Sequence, residues 1–190
     1  YGLRANSDER RWPGEFVTAD LLADSPDDRH SRPYVEGKDL GGLRVLRTRH
    51  LEWGTDRAPA RFARRSFDEF LSASPKILAL CISGDRVVCA LDAQSHAFNH
   101  TIVGIVPWHL LADCSAIQVR RAAQGRNLRQ APDFDVRYLL AILQSWQTRA
   151  FLASIRRSRK HIYPDDWRAV PIPAAPPETG QPSRKPSTRP

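Results

Sequence analysis

Short hydrophobic runs separated by turn signals occupy the middle of the chain. Residues 76–83 (KILALCIS) and 86–91 (RVVCAL) are two such runs, and they flank Gly84-Asp85, which is typical of a tight hairpin turn. A second turn over residues 92–96 leads into a third run over residues 97–106. Three strands joined by short turns predict an antiparallel β-meander.

Helical spacing of apolar residues dominates further along the chain. Residues 138–155 carry apolar side chains at intervals of three to five, which predicts one long C-terminal helix with Trp146 buried on its apolar face. A shorter helix is predicted over residues 66–71, where Ser66 and Glu69 have the spacing of a capping box.

The remaining segments complete the predicted organisation. Residues 43–51 alternate between apolar side chains and arginine, which predicts a strand with one basic face. Residues 1–31 are polar and charged and predict a flexible linker from an upstream domain, while the Pro- and Ser-rich residues 174–190 predict a disordered tail. Residues 32–173 then form one domain of the α+β class, an antiparallel β-meander packed with a long C-terminal helix.

The start of the chain suggests that it is part of something larger. It begins with Tyr1 and contains no methionine. An open reading frame normally starts with methionine, so we expect a C-terminal piece of a longer protein or an incomplete gene model. A GC-rich genome would explain part of the shortage of methionine.

The charge balance points to a polyanionic partner. The net charge is +8, and only four of the 29 basic residues are lysine. Arginine presents a planar fork of donors that fits phosphate and the edge of guanine. Codon usage could explain the choice of arginine over lysine, but it does not explain the surplus of positive charge.

Cysteine usage and hydropathy bear on the compartment. The three cysteines, Cys81, Cys89 and Cys114, fit neither a disulfide framework nor a zinc motif. No apolar stretch approaches the roughly 20 residues of a membrane span, and no secretory signal opens the chain. We therefore expect a bacterial cytoplasmic protein without a membrane partner.

Motifs of stand-alone catalysis are missing from the sequence. It has no Gly-rich phosphate loop, no nucleophile elbow and no HExxH or CxxC pair. His96 and His100 are four residues apart but flank a strand-like run, so we expect no metal site. A nuclease that uses scattered acids such as Asp85 and Asp92 is a minor alternative.

Several polar and basic residues are candidates for DNA contacts. Lys76 could bind a phosphate or could be an ordinary edge-strand charge, and Asn99 could read adenine or could satisfy the backbone of a turn. Arg61, Arg64 and Arg65 precede the short helix and could follow a phosphate backbone. The predicted DNA-binding residues are Lys38, Arg44, Arg47, Arg49, Arg65, Lys76, Arg86, Asn99, His100 and Thr101.

Four segments in a fixed order carry a family resemblance. They are residues 75–78 (PKIL), 99–101 (NHT), 138–145 (YLLAILQS) and 162–173 (IYPDDWRAVPIP), preceded by 35–40 (VEGKDL). In this order they resemble the C-terminal specificity domain of TaqI-like and Eco57I-like adenine-specific DNA methyltransferases, which include fused restriction–modification enzymes of phage defence. The resemblance covers about residues 32–173, and Gln144 stands where the family usually has Asn.

The resemblance implies a protein made of two parts. An upstream domain binds S-adenosylmethionine and methylates a flipped adenine through an Asn/Asp-Pro-Pro-aromatic motif. That motif is absent here, because Pro176-Pro177 is followed by Glu178. We therefore expect this chain to bind double-stranded DNA, to hold no cofactor itself, and to serve a catalytic domain of the same parent chain or of a separate subunit.

A second interpretation belongs to a different functional class. The chain could be a degenerate remnant or a protein-interaction module whose basic surface reflects codon usage alone. The two interpretations differ in whether the chain prefers particular sequences when it binds duplex DNA.

Overall fold

The computed structural model of the protein describes residues 1–5, 16–82, 84, 86–130 and 134–173. The predicted tail over residues 174–190 and Asp85 of the predicted hairpin turn lie outside the described residues. Within the described part of the chain, no helix is both long enough and apolar enough to cross a membrane.

Short strands and short helices alternate along the chain. The strands are β1 (Leu22–Ala23), β2 (Arg32–Val35), β3 (Leu43–Arg44), β4 (Arg49–Leu51), β5 (Lys76–Leu80), β6 (Cys89–Asp92), β7 (Ala97–Phe98) and β8 (Ile102–Ile105). The α-helices are α1 (Asp68–Ser72), α2 (Ile117–Ala123), α3 (Val136–Gln144), α4 (Trp146–Ile155) and α5 (Pro164–Arg168).

Two four-stranded sheets organise these elements. One has the strand order β1-β4-β2-β7 and the other β3-β6-β5-β8. Strand β5 pairs antiparallel with both β6 and β8, and all five of its residues are buried. The predicted α+β class is confirmed, and so is the antiparallel pairing of the first two predicted strands.

The third predicted strand is divided between the two sheets. Residues 97–106 form β7, which pairs parallel with β2, and β8, which pairs with β5. The chain turns at Asn99–Thr101 between them, where the Asn99 side chain accepts hydrogen bonds from the backbone N–H and the hydroxyl of Thr101. Strand β8 therefore lies beside β5 and not beside β6, so the order in space differs from a simple meander.

The predicted basic strand over residues 43–51 is also divided. Strand β3 pairs parallel with β6, and β4 pairs with β1 and β2 of the other sheet. Strand β3 lies inside a tight turn that is closed by a bridge between Leu40 and Val45, and the chain then returns to the first sheet at β4. The arginines of this segment consequently do not share one strand face.

The predicted long helix is two helices that meet at Ser145. Its ψ of 159° interrupts α3, and its hydroxyl then accepts from the Thr148 N–H and caps α4. The new helix places Trp146 at its first position with 73% of the residue exposed, so the prediction that Trp146 is buried was wrong. Helix α3 retains its supporting role, because Leu140 and Leu143 pack in the core over the second sheet.

Residues near the N-terminus belong to the packed structure. Leu3, Phe16 and Leu21 lie in the same hydrophobic cluster as the first sheet, and β1 pairs with β4. Packed structure therefore begins before the expected boundary at residue 32. The capping box predicted at Ser66 is not formed, because the Ser66 hydroxyl donates to the Tyr1 carbonyl oxygen and α1 follows Phe67.

Candidate nucleic-acid interface

An open groove of about 930 Å³ runs along the edge of the second sheet, beside β8. Its wall combines the first residue of the chain, the segment before α1 with one residue of α1, two residues of β8, one residue of α2, and the segment from the end of α4 to α5. The lining residues are Tyr1, Arg64, Arg65, Ser66, Phe67, Phe70, Val103, Gly104, Gln118, Arg157, Tyr163, Pro164, Asp165 and Arg168.

The N-terminal segment forms one side of this groove because it is tied to the sheet on both flanks. Leu3 donates its N–H to the Phe98 carbonyl oxygen at 2.8 Å, and Arg4 pairs through both backbone bonds with Arg64 at 3.0 Å. Gly2 has to be glycine, because a Cβ there would lie 2.1 Å from the Phe98 carbonyl oxygen. These backbone hydrogen bonds place Tyr1 and Arg64 next to each other at the rim of the groove.

The segment around α5 forms the opposite side. Ile162 donates its N–H to the Cys81 carbonyl oxygen at 2.9 Å, which anchors this part of the chain to the end of β5. Helix α5 then starts at Pro164, whose fixed φ suits a first helical position, and buries Trp167. Its exposed face presents Asp165 and Arg168 to the groove.

The groove is basic. Four arginines line it, against the single carboxylate of Asp165 among the lining residues. Asp165 is itself bound by Arg168, with Nη1 and Oδ1 separated by 2.6 Å. Arg64 lies over the Tyr1 ring with its Cζ 5.6 Å from the ring centroid, and Arg65 donates to the Ala60 carbonyl oxygen. The positive potential of these arginines attracts phosphate groups.

Two exposed tyrosines, Tyr1 and Tyr163, lie at the rim of the groove. The Tyr163 ring is stacked on His161, with centroids 5.7 Å apart and planes inclined by 14°. The Tyr163 N–H donates to Asp166 Oδ2 at 2.7 Å, so both its backbone and its ring are held. Arginine and aromatic side chains in one open groove are the combination that proteins use to hold phosphates and bases together.

Of the ten residues predicted from the sequence to bind DNA, Arg65 lines the groove. Arg44, Arg47 and Arg86 are exposed elsewhere on the surface, and Arg47 is paired with Asp24 at 2.6 Å. Lys38 is exposed and paired with Glu36 at 2.9 Å. The predicted set is thus spread over the molecule and does not form a single face.

Lys76 corrects the prediction most clearly. Its side chain is 0% exposed, and Nζ lies 2.6 Å from Asp92 Oδ2 and donates to the carbonyl oxygens of Leu71 and Ala73. Because its side chain is buried, Lys76 cannot bind a phosphate. It is also not an edge-strand charge, because β5 is a central strand of its sheet. Its role is to tie the end of α1 to β6.

Arg49 is also engaged within the fold. Its Nη2 bonds Glu36 at 2.8 Å and Asp39 at 3.0 Å, and its side chain is largely buried. Burial opposes the charge of Glu36, but the bonds from Arg49 and Lys38 hold the pKa of that carboxyl below its ordinary value. The prediction that Arg49 contacts DNA is not supported by this geometry.

The Asn99, His100 and Thr101 segment divides into structural and exposed parts. Of the two predicted roles of Asn99, the structure shows the bonding of a turn. Its Oδ1 accepts hydrogen bonds from the hydroxyl of Thr101 at 2.5 Å and from the N–H of Thr101 at 3.2 Å. His100 is exposed, and desolvation together with the positive charges of Arg4 and Arg64 lowers its pKa. His100 therefore lies in the electrostatic field of a groove arginine without lining the groove itself.

A buried polar network links Lys76 to the loop before β4. Asp92 Oδ1 lies 2.8 Å from His96 Nδ1, and His96 Nε2 lies 2.8 Å from Thr48 Oγ1. Burial raises the pKa of Asp92, but the His96 bond and the Lys76 charge outweigh it and hold that pKa below its ordinary value. Asp92 is fully enclosed, so this geometry does not support its use by a nuclease.

Sequence reasoning missed Arg157, Arg168 and Tyr163 as site residues. They lie about a hundred residues after Arg64 and come to the same groove only through the anchoring of residues 161–162 on β5. Tyr163 and Arg168 lie in the segment 162–173 of the resemblance, but no local pattern marks these three residues as parts of one site. In the described part of the chain, no cluster of three or more His, Cys, Asp or Glu side chains could hold a metal ion.

Comparison with known proteins gives no match to this chain, whether with family models, curated proteins or solved structures.

Proposed function

We propose that this chain binds double-stranded DNA sequence-specifically, as the target-recognition part of an adenine-specific DNA methyltransferase that uses S-adenosylmethionine, or of a fused restriction–modification enzyme. The proposal assigns methylation and the cofactor to a catalytic domain of the same parent chain or a separate subunit. It places the protein in the bacterial cytoplasm, where phage DNA would be its target.

The observation that carries the proposal is the basic groove. Four arginines from three separate parts of the chain converge on it, and Asp165, the sole lining carboxylate among the described residues, is already bound by Arg168. Each arginine that neutralises a phosphate releases counterions, which is the main source of affinity for DNA. Guanidinium forks can in addition recognise guanine edges.

The order of sequence motifs supports the target-recognition role in particular. The segments that resemble the methyltransferase specificity domain include residues 162–173, which contain α5 and one wall of the groove. The other segments build the sheet and α3 beneath. The resemblance and the groove therefore support the proposal through the same part of the molecule.

Binding to a pool of random duplexes tests the proposal. We expect salt-sensitive binding at two salt concentrations, and sequencing of the bound fraction should yield an enriched motif containing adenine. Salt-sensitive binding without a motif would mean that this chain alone supplies affinity and not specificity. An absence of binding at low salt would overturn the proposal.

Replacing groove arginines locates the interface. Arg157→Ala and Arg168→Ala should each weaken duplex binding about uniformly across sequences and lower the salt slope by about one unit for each phosphate that is no longer neutralised. Arg149→Ala, at an exposed position of α4, removes the same charge outside the groove and is the matched control. Equal effects of all three variants in fluorescence anisotropy would argue against a defined groove interface.

A protein-interaction role is the second candidate, and the exposure of Trp146 favours it. Trp146 is 73% exposed at the start of α4, and large exposed aromatic side chains are frequent anchors of protein interfaces. A DNA-binding result that is insensitive to the groove arginines would bring this candidate forward.

A further inference from the structure

We infer that the groove accommodates unpaired nucleotides, with Tyr163 as the stacking platform for a base, so that the protein holds the strand that is opened when a target base leaves the duplex. This inference rests on the proposed function, because it names the form of DNA that the same groove takes.

The first observation is the mixture of side chains in the groove. Phosphate binding alone requires cations, yet Tyr1, Phe67, Phe70 and Tyr163 line the same groove as the four arginines. In an intact duplex the faces of the bases are covered by their neighbours in the stack. Aromatic side chains and arginines in one groove therefore fit a strand whose bases are free to stack on protein.

The second observation is that Tyr163 is held in place and yet remains accessible. His161 supports one face of the ring at 5.7 Å, and the His161 N–H is in turn held by the Ser158 hydroxyl at 3.2 Å. The backbone of Tyr163 is fixed at the N-terminus of α5, and 39% of Tyr163 remains exposed. A ring that is ordered before binding loses little conformational freedom when a base stacks on it.

The third observation is the position of the cations relative to this ring. Arg168 follows in the same short helix, and Arg157 precedes Tyr163 by six residues on the same wall. Tyr1 occupies the same groove with Arg64 above its ring at 5.6 Å. Two tyrosines of one groove, each accompanied by arginines, provide aromatic rings and positive charges to a single strand.

Binding to three probes of the same sequence tests the inference: a fully paired duplex, that duplex with a three-nucleotide bulge, and the single strand. We expect the full chain to bind the bulged duplex about tenfold more tightly than the paired one, since a bulge removes the cost of unstacking. Tyr163→Ala should abolish this preference, because it should weaken binding of the bulged duplex about tenfold more than binding of the paired duplex. Tyr163→Phe keeps the ring and should keep the preference.

Trp146→Ala is the control, because it removes an exposed aromatic side chain at a residue that does not line the groove. Equal affinity of the wild type for paired and bulged duplexes would overturn the inference and leave the proposed DNA binding intact. Equal losses on all probes in Tyr163→Ala, without recovery in Tyr163→Phe, would also overturn it. No binding to any probe at low salt would remove the inference together with the proposed function.

Discussion

At the scale of single residues, Lys76 shows how one buried charge connects three elements. Its ammonium joins the carbonyl oxygens at the end of α1 to Asp92 of β6, from the first position of β5. Removing one member of a buried ion pair leaves the other charge without compensation, which costs far more than the pair contributes in net terms.

Lys76→Met should therefore lower the free energy of unfolding by about 3 kcal/mol or more, measured by urea denaturation. Asp92 would be left buried with its hydrogen bonds to His96 and Gln94 but without a cation. Lys38→Met is the matched control, because Lys38 is exposed and its partner Glu36 keeps the bond from Arg49, so a change within about 0.5 kcal/mol is expected. A similar small change at Lys76 would contradict the buried network.

At the scale of elements, the tight turn that contains β3 includes a strained leucine. Leu43 has a φ of 77°, although Gly42 stands immediately before it, and it is 56% exposed. The left-handed region is costly for a leucine side chain and free for glycine. Two backbone hydrogen bonds nevertheless close this turn, from the Gly41 N–H to the Arg44 carbonyl oxygen and from the Leu46 N–H to the Asp39 carbonyl oxygen.

Leu43→Gly should raise the free energy of unfolding by about 1 kcal/mol, since it relieves this strain and removes little buried surface. Leu46→Gly is a suitable comparison, because Leu46 is 60% exposed but has no positive φ, and it should be neutral or destabilising. Chemical denaturation of the two variants decides the point, and a loss of stability in Leu43→Gly would mean that the leucine side chain is needed in this turn.

The individual elements also differ in how far they could be predicted from the sequence. Apolar runs at 76–80 and 89–91 with a turn between them were sufficient for the β5–β6 hairpin, because that pairing is local. The division of residues 97–106 depends on the side chain of Asn99, and the break between α3 and α4 depends on Ser145 as a cap. In both cases the hydrogen bond of one polar side chain with the nearby backbone interrupts the element, although the pattern of hydrophobic residues continues across that position.

The candidate site was less predictable than the fold, for a physical reason. The density of positive charge led to the prediction of Arg44, Arg47 and Arg49. They are neighbours in sequence, but Arg44 and Arg49 lie in different sheets and Arg47 lies in the loop between them. The groove instead joins Arg64 and Arg65 to Arg157 and Arg168 through backbone anchors at residues 4 and 162. Such convergence is a property of the tertiary structure and leaves no pattern in the sequence.

At the scale of the whole molecule, carboxylates bound by arginine connect distant loops and make stability depend on pH. Glu52 is buried and lies 2.9 Å from Arg29 Nε and 2.5 Å from Arg57 Nη2, so it joins the loop before β2 to the turn after β4. The hydrogen bond from Arg57, together with those from Thr55 and Arg29, outweighs burial and lowers the pKa of Glu52 to about 2.

A carboxyl whose pKa is lowered on folding stabilises the protein fully above its ordinary value and loses that contribution as pH falls toward its folded value. The contribution of Glu52 to the free energy of unfolding should therefore fall by about 2 kcal/mol between about pH 5 and pH 2. This magnitude is smaller than the full pKa shift implies, because the exposed Arg29 is screened by solvent.

Glu52→Gln should be less stable at pH 7 and should lose much of this acid dependence. Glu69→Gln, on the exposed face of α1, should follow the wild type. Parallel pH profiles for the wild type and Glu52→Gln would contradict this contribution of Glu52. The acid sensitivity would then come from other carboxyls whose pKa values are lowered, such as Asp27, Glu36 and Asp92.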